Sequence, residues 1–254
     1  MTPTTVIAVP IWDTEGAHRF DEHQSFYTMN FIDQMQRLDD DSWLCVIVDN
    51  ASDSQPTLDF LAALNDPRFH VIHNETNRGY GAAANQGVDY GLKRGAHFVI
   101  VCNNDLEFLR QDWIEVAFIN HLRTNPGWLM GARYIPDNGW TKFGESCIPY
   151  MEGYLLACTA GMWIDLGGFD ENYLAYMEDV DLSYRAMLRG YQLVQSPLFH
   201  WEAVGAQASA IARDVAVHHI GGRTGYNRAD FDFDRITRES VEYFKKKHGF
   251  CTHK

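Results

Sequence analysis

The stretch His97-Phe98-Val99-Ile100-Val101-Cys102-Asn103-Asn104-Asp105 passes in one step from a short β-branched apolar run to three hydrogen-bonding side chains. An apolar run of that length, bounded by polar residues, reads as a buried strand. Three similar runs lie upstream: Thr5–Pro10 (TVIAVP), Trp43–Val48 (WLCVIV) and Phe69–His73 (FHVIH). The segments between them have helical character. Gln24–Leu38 carries Phe31, Met35 and Leu38 at helical spacing, Pro56–Leu64 opens with a proline suited to a first turn, and Gly81–Arg94 begins with small residues suited to close packing. A βαβαβαβ order predicts an α/β fold, with a mostly parallel sheet and right-handed crossovers.

Ligands of such sheets sit beyond the C-terminal strand ends. The residues there are Trp12 and Asp13, then Asp49, Asn50 and Asp53, then Asn74 to Gly79, and finally Asn103, Asn104 and Asp105. All four runs end in hydrogen-bonding side chains rather than loop filler.

After Asp105 the pattern changes. Asp112–Arg123 is expected to be helical, and Gly127–Met162, rich in Trp, Tyr, Gly and Pro, to form irregular strands and loops. Glu178–Arg189 has a helical pattern stopped by Gly190, and Gln192–Ser196 is a further strand candidate. Gln207–Asp230 gives no element and is expected to be a loop around His218 and His219. Arg235–His248 is an amphipathic helix with basic residues in its last turn, where they suit the helix dipole. The absence of a repeat, linker or low-complexity tract leads to one domain over 1–254.

The 254 residues include 21 Lys+Arg against 34 Asp+Glu, a net charge of −13, with 46% apolar residues. That apolar content supports a sizeable core. The acid surplus argues against nucleic-acid partners, whose phosphates require clustered Lys and Arg. It leaves an anionic ligand open, because helix N-termini or a bound metal supply positive potential locally. No run matches a membrane span, and the polar start MTPTTVIAVPIWDTEG lacks the basic leader of a signal peptide. Five cysteines without a C-x-x-C pair read first as small buried thiols in a reducing cytoplasm, with a catalytic or metal-bound Cys as the alternative.

Four constellations carry chemistry. Asp105, beside two amides at the sheet mouth, suits a divalent cation bridging a diphosphate, Mg²⁺ or Mn²⁺ rather than Zn²⁺ in so oxygen-rich a setting; an Asx turn is the alternative. Residues 77–85 (NRGYGAAAN) contain G-x-G-x-x-A, yet a dinucleotide fingerprint normally follows the first strand and this follows the third. A tight turn into a helix, with Arg78 and the helix N-terminus facing phosphate, fits better. Glu178, Asp179 and Asp181 crowd a helix's first turn, where acids also stabilise the dipole. Asp181 and Arg185 are spaced to pair, and Asp179 is rotated about 100° from Glu178, so the three cannot all serve one site. An exposed carboxylate there suits a general base. His218-His219-Ile220-Gly221-Gly222 reads as a structural or surface pair unless the fold brings His219 beside Asp105.

Together these motifs resemble family-2 inverting glycosyltransferases of the GT-A fold, in particular bacterial rhamnosyltransferase-like members. The most specific match is Gly167-Gly168-Phe169-Asp170-Glu171-x-Tyr173, followed by Tyr176-x-Glu178-Asp179-Val180-Asp181-Leu182-x-x-Arg185 and Gly190-Tyr191. Val48–Ser52 resembles the family's VDNaS segment, Asn77-x-Gly79 through Asn85-x-Gly87 its NxGfaxaxNxG segment, and His219-x-Gly221-Gly222 its H-x-G-G element. Asn103-Asn104-Asp105 stands in place of its metal-binding D-x-D-like motif. The five blocks keep the family order from about residue 5 to 225.

The resemblance implies a metal-dependent, inverting transfer of a hexosyl or deoxyhexosyl group from a nucleoside-diphosphate sugar to an acceptor hydroxyl, on a glycan or another molecule. It implies a nucleotide-sugar-binding half (1–105) and an acceptor-side, catalytic half (106–254). Asp49 is expected on the base or ribose, Asp105 on Mn²⁺ or Mg²⁺, His219 near the metal or diphosphate, and Asp179 as catalytic base with Glu178 next in line. Pro10, Trp12, Asn77, Arg78, Gly79, Asn85, Asn104 and Arg223 complete the expected donor site. Three departures stand out. Asn103 and Asn104 leave one carboxylate in the metal motif, Arg223 replaces a small residue and is itself placed to meet a phosphate, and VPIWDTEG lacks the P-x-[YF]-N form, which leaves Trp12 to stack on a base or merely pack. A nucleotidyltransferase, releasing pyrophosphate, and a non-catalytic nucleotide-sugar-binding module are the rival readings.

Overall fold

A computed structural model describes residues 2–14, 24–137, 140–141, 144–145, 148–199, 217–219 and 232–249. Strands β1 (Thr5–Ile11), β2 (Trp43–Asp49), β3 (Phe69–His73) and β4 (Phe98–Cys102) alternate with helices α1 (Gln24–Gln36), α2 (Gln55–Ala63) and α3 (Tyr80–Leu92), as the apolar runs predict. Then come β5 (Leu106–Phe108), a π-helical turn over Glu115–Ile119 leading directly into α4 (Asn120–Thr124), β6 (Trp128–Gly131), β7 (Tyr134–Ile135), and the two-residue strands β8 (Trp140–Thr141), β9 (Gly144–Glu145) and β10 (Tyr150–Met151). The remainder are β11 (Leu155–Thr159), α5 (Ala160–Leu166), α6 (Glu178–Leu188), β12 (Gln192–Gln195), β13 (Val217–His219) and α7 (Phe233–His248).

Seven strands form the central sheet in the order β12-β6-β11-β4-β1-β2-β3. β3, β2, β1 and β4 are parallel, β11 runs antiparallel between β4 and β6, and β12 is parallel to β6. β1 and β2 are buried along their whole length because both sheet faces are covered. Ile7, Val9, Cys45, Ile47 and Ile100 pack with Phe31, Ile32, Met35, Trp113 and Phe118 on one face. Val6, Ala8, Val46, Val48, Val99 and Val101 pack with Ala83, Ala84, Val88 and Leu182 on the other. The small residues of α3 have a steric purpose: a Cβ at Gly91 would lie 2.2 Å from a Val6 methyl.

Two expectations change. Gly127–Met162 is not merely irregular, since it supplies β6 and β11 to the main sheet and opens α5. Leu155-Leu156-Ala157-Cys158 is a buried apolar run like those of β1 to β4, but it lies among Tyr, Gly and Trp residues whose turn chemistry masks it. The segment expected to hold no element contributes β13, which pairs antiparallel with β5 and sets His219 opposite Leu106. Its other residues lie outside the described ones, as do Arg223 and Cys147. Cys45, Cys102 and Cys158 are buried free thiols.

Candidate active site

The polar residues after β1, β2, β3 and β4 meet along one edge of the sheet. At the end of β2, Asp49 is buried; its Oδ1 accepts the Ser52 N–H at 2.9 Å and its Oδ2 lies 2.8 Å from Nδ1 of the half-exposed His73. Pro10 lies within β1, paired with Val48, and Trp12 follows that strand partly buried. Asn50 organises the turn after β3. Its Nδ2 donates to Asn77 Oδ1 (2.7 Å) and Gly79 O (3.2 Å), while its Oδ1 accepts the Arg78 N–H (3.0 Å) and Asn74 Nδ2 (3.1 Å). Gly79 is required there, because φ is +86° and a Cβ would lie 2.6 Å from Leu174 O. The turn opens α3 with Arg78 half-exposed and 3.6 Å from Glu171. Asn85, one turn into α3, gives Nδ2 to Phe169 O (2.9 Å) and Glu171 (3.1 Å) and takes the Phe169 N–H (2.9 Å). It braces the Gly167–Glu171 segment against α3.

After β4, Asp105 is buried and its Oδ1 lies 3.3 Å from Nε2 of His219. The fold therefore brings the two residues together across β5 and β13. His219 also stacks on Tyr154, with ring centroids 3.9 Å apart and planes at 12°. Burial pushes the Asp105 carboxyl up, and the His219 imidazole with hydrogen bonds from its own backbone and Asn103 more than offsets this, leaving it below its ordinary value. One carboxylate and one imidazole suit a divalent cation such as Mn²⁺, whose remaining positions a diphosphate and water would fill. Among the described residues no group of three or more His, Cys, Asp or Glu is placed to hold a metal.

The acids of α6 separate as helical geometry requires. Asp181 is fully buried and pairs with Arg185 (2.7 Å) as the spacing predicts, and it turns towards α7 instead of the sheet mouth. Asp179 faces Gly153: its Oδ2 accepts the Gly153 N–H and its Oδ1 the Val180 N–H, each at 2.8 Å. Burial raises it to about 6 despite those two bonds, and the neighbouring Glu152 charge adds to the rise. Glu178 is buried beside it. Tyr80, the first residue of α3, ties the two sides together: its hydroxyl donates to Gly153 O at 3.0 Å. Burial pushes the Tyr80 phenol well up, and Cys102, Glu178, Asp179 and Asp105 act in the same direction.

The motifs do not reveal Tyr80, Gly153 or Glu152, because their placement depends on β11 joining β4. Asp13 is visible as a strand-end acid. It is buried, and its Oδ2 accepts the Thr28 (2.7 Å) and Thr57 (3.0 Å) hydroxyls. Burial raises it to about 6, against the pull of those hydroxyls. A carboxyl raised by the fold contributes stability that is full below about 3.8 and lost as pH rises through about 6. Asp13→Asn keeps an acceptor for both hydroxyls and cannot ionise. It is expected to be more stable than the wild type at pH 8, by up to about 3 kcal/mol, with the gap closing towards pH 4; paired thermal melts at the two pH values check this.

The sheet order and the acids at its mouth define a GT-A glycosyltransferase fold, and solved structures share it. The mannosyltransferase PcManGT from Pyrobaculum calidifontis, in complex with GDP-Man and Mn²⁺, aligns with a TM-score of 0.55 at 17% identity, over 78% of this chain and 55% of that one. The TarS fragment 1–349 from S. aureus, in complex with UDP, aligns at 0.52 and 15% identity, over 97% and 72%. The family model for glycosyl transferase family 2 matches residues 28–163, and the chain belongs to that family. Curated relatives include the polyprenol monophosphomannose synthase of Mycolicibacterium smegmatis (26% identical, over 61% of this chain and 65% of that one). Another is the N-acetylglucosaminyl-diphospho-decaprenol L-rhamnosyltransferase of Mycobacterium tuberculosis (25%, over 60% and 63%). The chain spans a little under two thirds of the length of these relatives.

Proposed function

We propose that this chain transfers a glycosyl group from a nucleoside-diphosphate sugar to an acceptor hydroxyl, with inversion at the anomeric carbon. The observation that carries this reading is the pairing of Asp105 with His219 beyond β4 (3.3 Å), together with Asp179 anchored by two backbone N–H groups beside Gly153. Membership of glycosyl transferase family 2 supports the reaction class.

In this reading Asp49 meets the base or ribose of the donor, with Pro10 and Trp12 lining the same side. The Asn77-Arg78-Gly79 turn faces the diphosphate, with Arg78 supplying positive charge, Asn85 bracing the turn's helix and Arg223 a further phosphate contact. Asp105 and His219, backed by Asn104, hold Mn²⁺ or Mg²⁺. When bound, the cation supplies positive charge where the departing diphosphate develops negative charge. Asp179 takes the proton of the attacking acceptor hydroxyl, on the opposite side of the sugar from Asp105, because inversion requires in-line attack and departure. Residues 1–105 then form the donor half and 106–254 the acceptor and catalytic half, acting in the cytoplasm. Among the described residues no helix is long and apolar enough to cross a membrane.

The test is a thermal-shift screen of nucleoside diphosphates and their sugars with and without Mn²⁺, followed by assignment of the product's anomeric configuration. A stabilising hit appears through ligand linkage, and no response to any donor refutes the proposal. Asp105→Asn is expected to remove the Mn²⁺-dependent part of donor affinity, at least tenfold by the scale of outer-ligand losses at metal sites, while metal-free affinity stays within about twofold; isothermal calorimetry with and without Mn²⁺ checks it.

A further inference from the structure

A continuous hydrogen-bond chain runs beneath the sheet mouth from Asp49 to the Asp105 loop. Asp49 Oδ1 accepts the Ser52 N–H (2.9 Å), and Ser52 Oγ accepts the Asp13 N–H (2.9 Å). The Asp13 carbonyl takes the Asp53 (3.0 Å) and Ser54 (3.3 Å) N–H groups, fixing the same loop a second time. Asp13 Oδ2 accepts the Thr28 hydroxyl (2.7 Å), and Thr28 Oγ1 in turn accepts Asn104 Nδ2 (2.7 Å), one residue before Asp105. Thr28 is one of two links: its hydroxyl has one proton, spent on Asp13, and a lone pair for Asn104, and the Asn104 side chain also hydrogen-bonds the Asp13 carboxylate directly. Asp13, Thr28 and Thr57 are buried, so water does not substitute readily for any of these bonds.

We propose that Asp13 and Thr28 are positioning residues that couple the nucleoside-facing loop after β2 to the cation-facing loop after β4, so that each half of the donor binds better when the other is seated. This inference rests on the donor-site reading above. It assigns no contact with donor to either residue. The Asp13–Thr28 bond holds two loops in one register, and Thr57 secures that register to α2 through the same carboxylate oxygen (3.0 Å). Because α1 carries Thr28, both donor loops are referenced to one helix that packs under the sheet through Phe31, Ile32 and Met35.

The experiment compares wild type, Thr28→Val and Thr28→Ser by calorimetry, using whichever of UDP, GDP and dTDP stabilises the wild type most, with and without Mn²⁺. Valine preserves shape and removes both Thr28 bonds, leaving the direct Asn104–Asp13 bond alone; serine preserves the Thr28 bonds. The expected result is that the Mn²⁺-induced gain in affinity falls about tenfold in Thr28→Val, within the usual range of coupling between sites. Metal-free affinity changes less than about twofold, and Thr28→Ser restores the gain. In the metal-free protein, Thr28→Val also speeds amide exchange at Asn103–Leu106 and Thr28→Ser does not. The proposal is overturned if Thr28→Val keeps the wild-type gain, or if valine and serine lose it equally, which would make packing the cause. A wild type with no Mn²⁺-dependent gain for any of the three refutes the donor-site reading itself and this inference with it.

Discussion

Asp179→Asn is expected to cut turnover by about 10²- to 10⁴-fold, the usual contribution of a general base, while donor affinity stays within a few-fold. Asparagine retains one carbonyl oxygen for either the Gly153 or the Val180 N–H and presents an NH₂ to the other, so the fold survives with one anchor weakened. The wild-type rate carries the matching pH signature. Burial raises Asp179 to about 6, and a base works only when ionised, so kcat/KM is flat above about 6 and falls tenfold per unit below it. The nearby Glu152 charge is part of that rise, and Glu152 is itself held by Arg133 at 3.0 Å. Glu152→Gln should therefore move the acid limb to lower pH while leaving the plateau nearly unchanged. Steady-state kinetics across pH 5 to 9 on the three proteins decides the matter. A fully active Asp179→Asn would shift the role to Glu178.

The pairing of Asp105 with His219 shows how much of the site the sequence carries. Their motif spacing spans more than a hundred residues, and what joins them is a three-residue antiparallel pairing between β5 and β13 that no local pattern announces. The four parallel strands were readable because each is a continuous apolar run ending in polar side chains, the imprint of a sheet covered on both faces. β11 leaves the same imprint, but it lies among Tyr, Gly and Trp residues whose turn chemistry masks it. The turn before β11 supplies Gly153, whose N–H anchors Asp179, so what hides β11 also hides that neighbour. The separation of Glu178, Asp179 and Asp181, by contrast, follows from 100° per residue alone, and the Asp181–Arg185 pair follows from a spacing of four.

Asp181→Ala is expected to be the most destabilising single change at the acidic helix. Asp181 is fully buried and accepts Arg185 Nε (2.7 Å), Lys247 Nζ (2.6 Å) and His248 Nε2 (2.7 Å). Burial pushes its carboxyl up, and Lys247, Arg185 and His248 pull it further down, below its ordinary value. Its contribution is thus present above the ordinary carboxylate range and is lost as pH falls through the depressed value. Removing the carboxylate strands Arg185, Lys247, His248 and the more distant Tyr173 hydroxyl (3.5 Å) around an uncompensated site, at a cost of about 3–5 kcal/mol. Lys247 and Arg185 remain partly exposed, which places the loss at the lower end, and for a chain of this size about 3 kcal/mol is a fall of roughly 6–12 °C in Tm. The double variant Asp181→Leu with Lys247→Met should recover part of it, because the worst element is a stranded charge rather than a missing bond. A shift under about 1 °C for Asp181→Ala would mean that this cluster contributes nothing to stability. The consequence reaches the chemistry through geometry. Lys247 also grips Asp170 (2.8 Å), Arg185 donates to Gly168 O (2.8 Å), and Asp181 stands in the same first turn as Asp179. The last turn of α7 therefore fastens the turn that presents Asp179, the proposed base, and Asp181→Ala should lower kcat at temperatures where the protein is still folded, with nucleoside diphosphate affinity preserved.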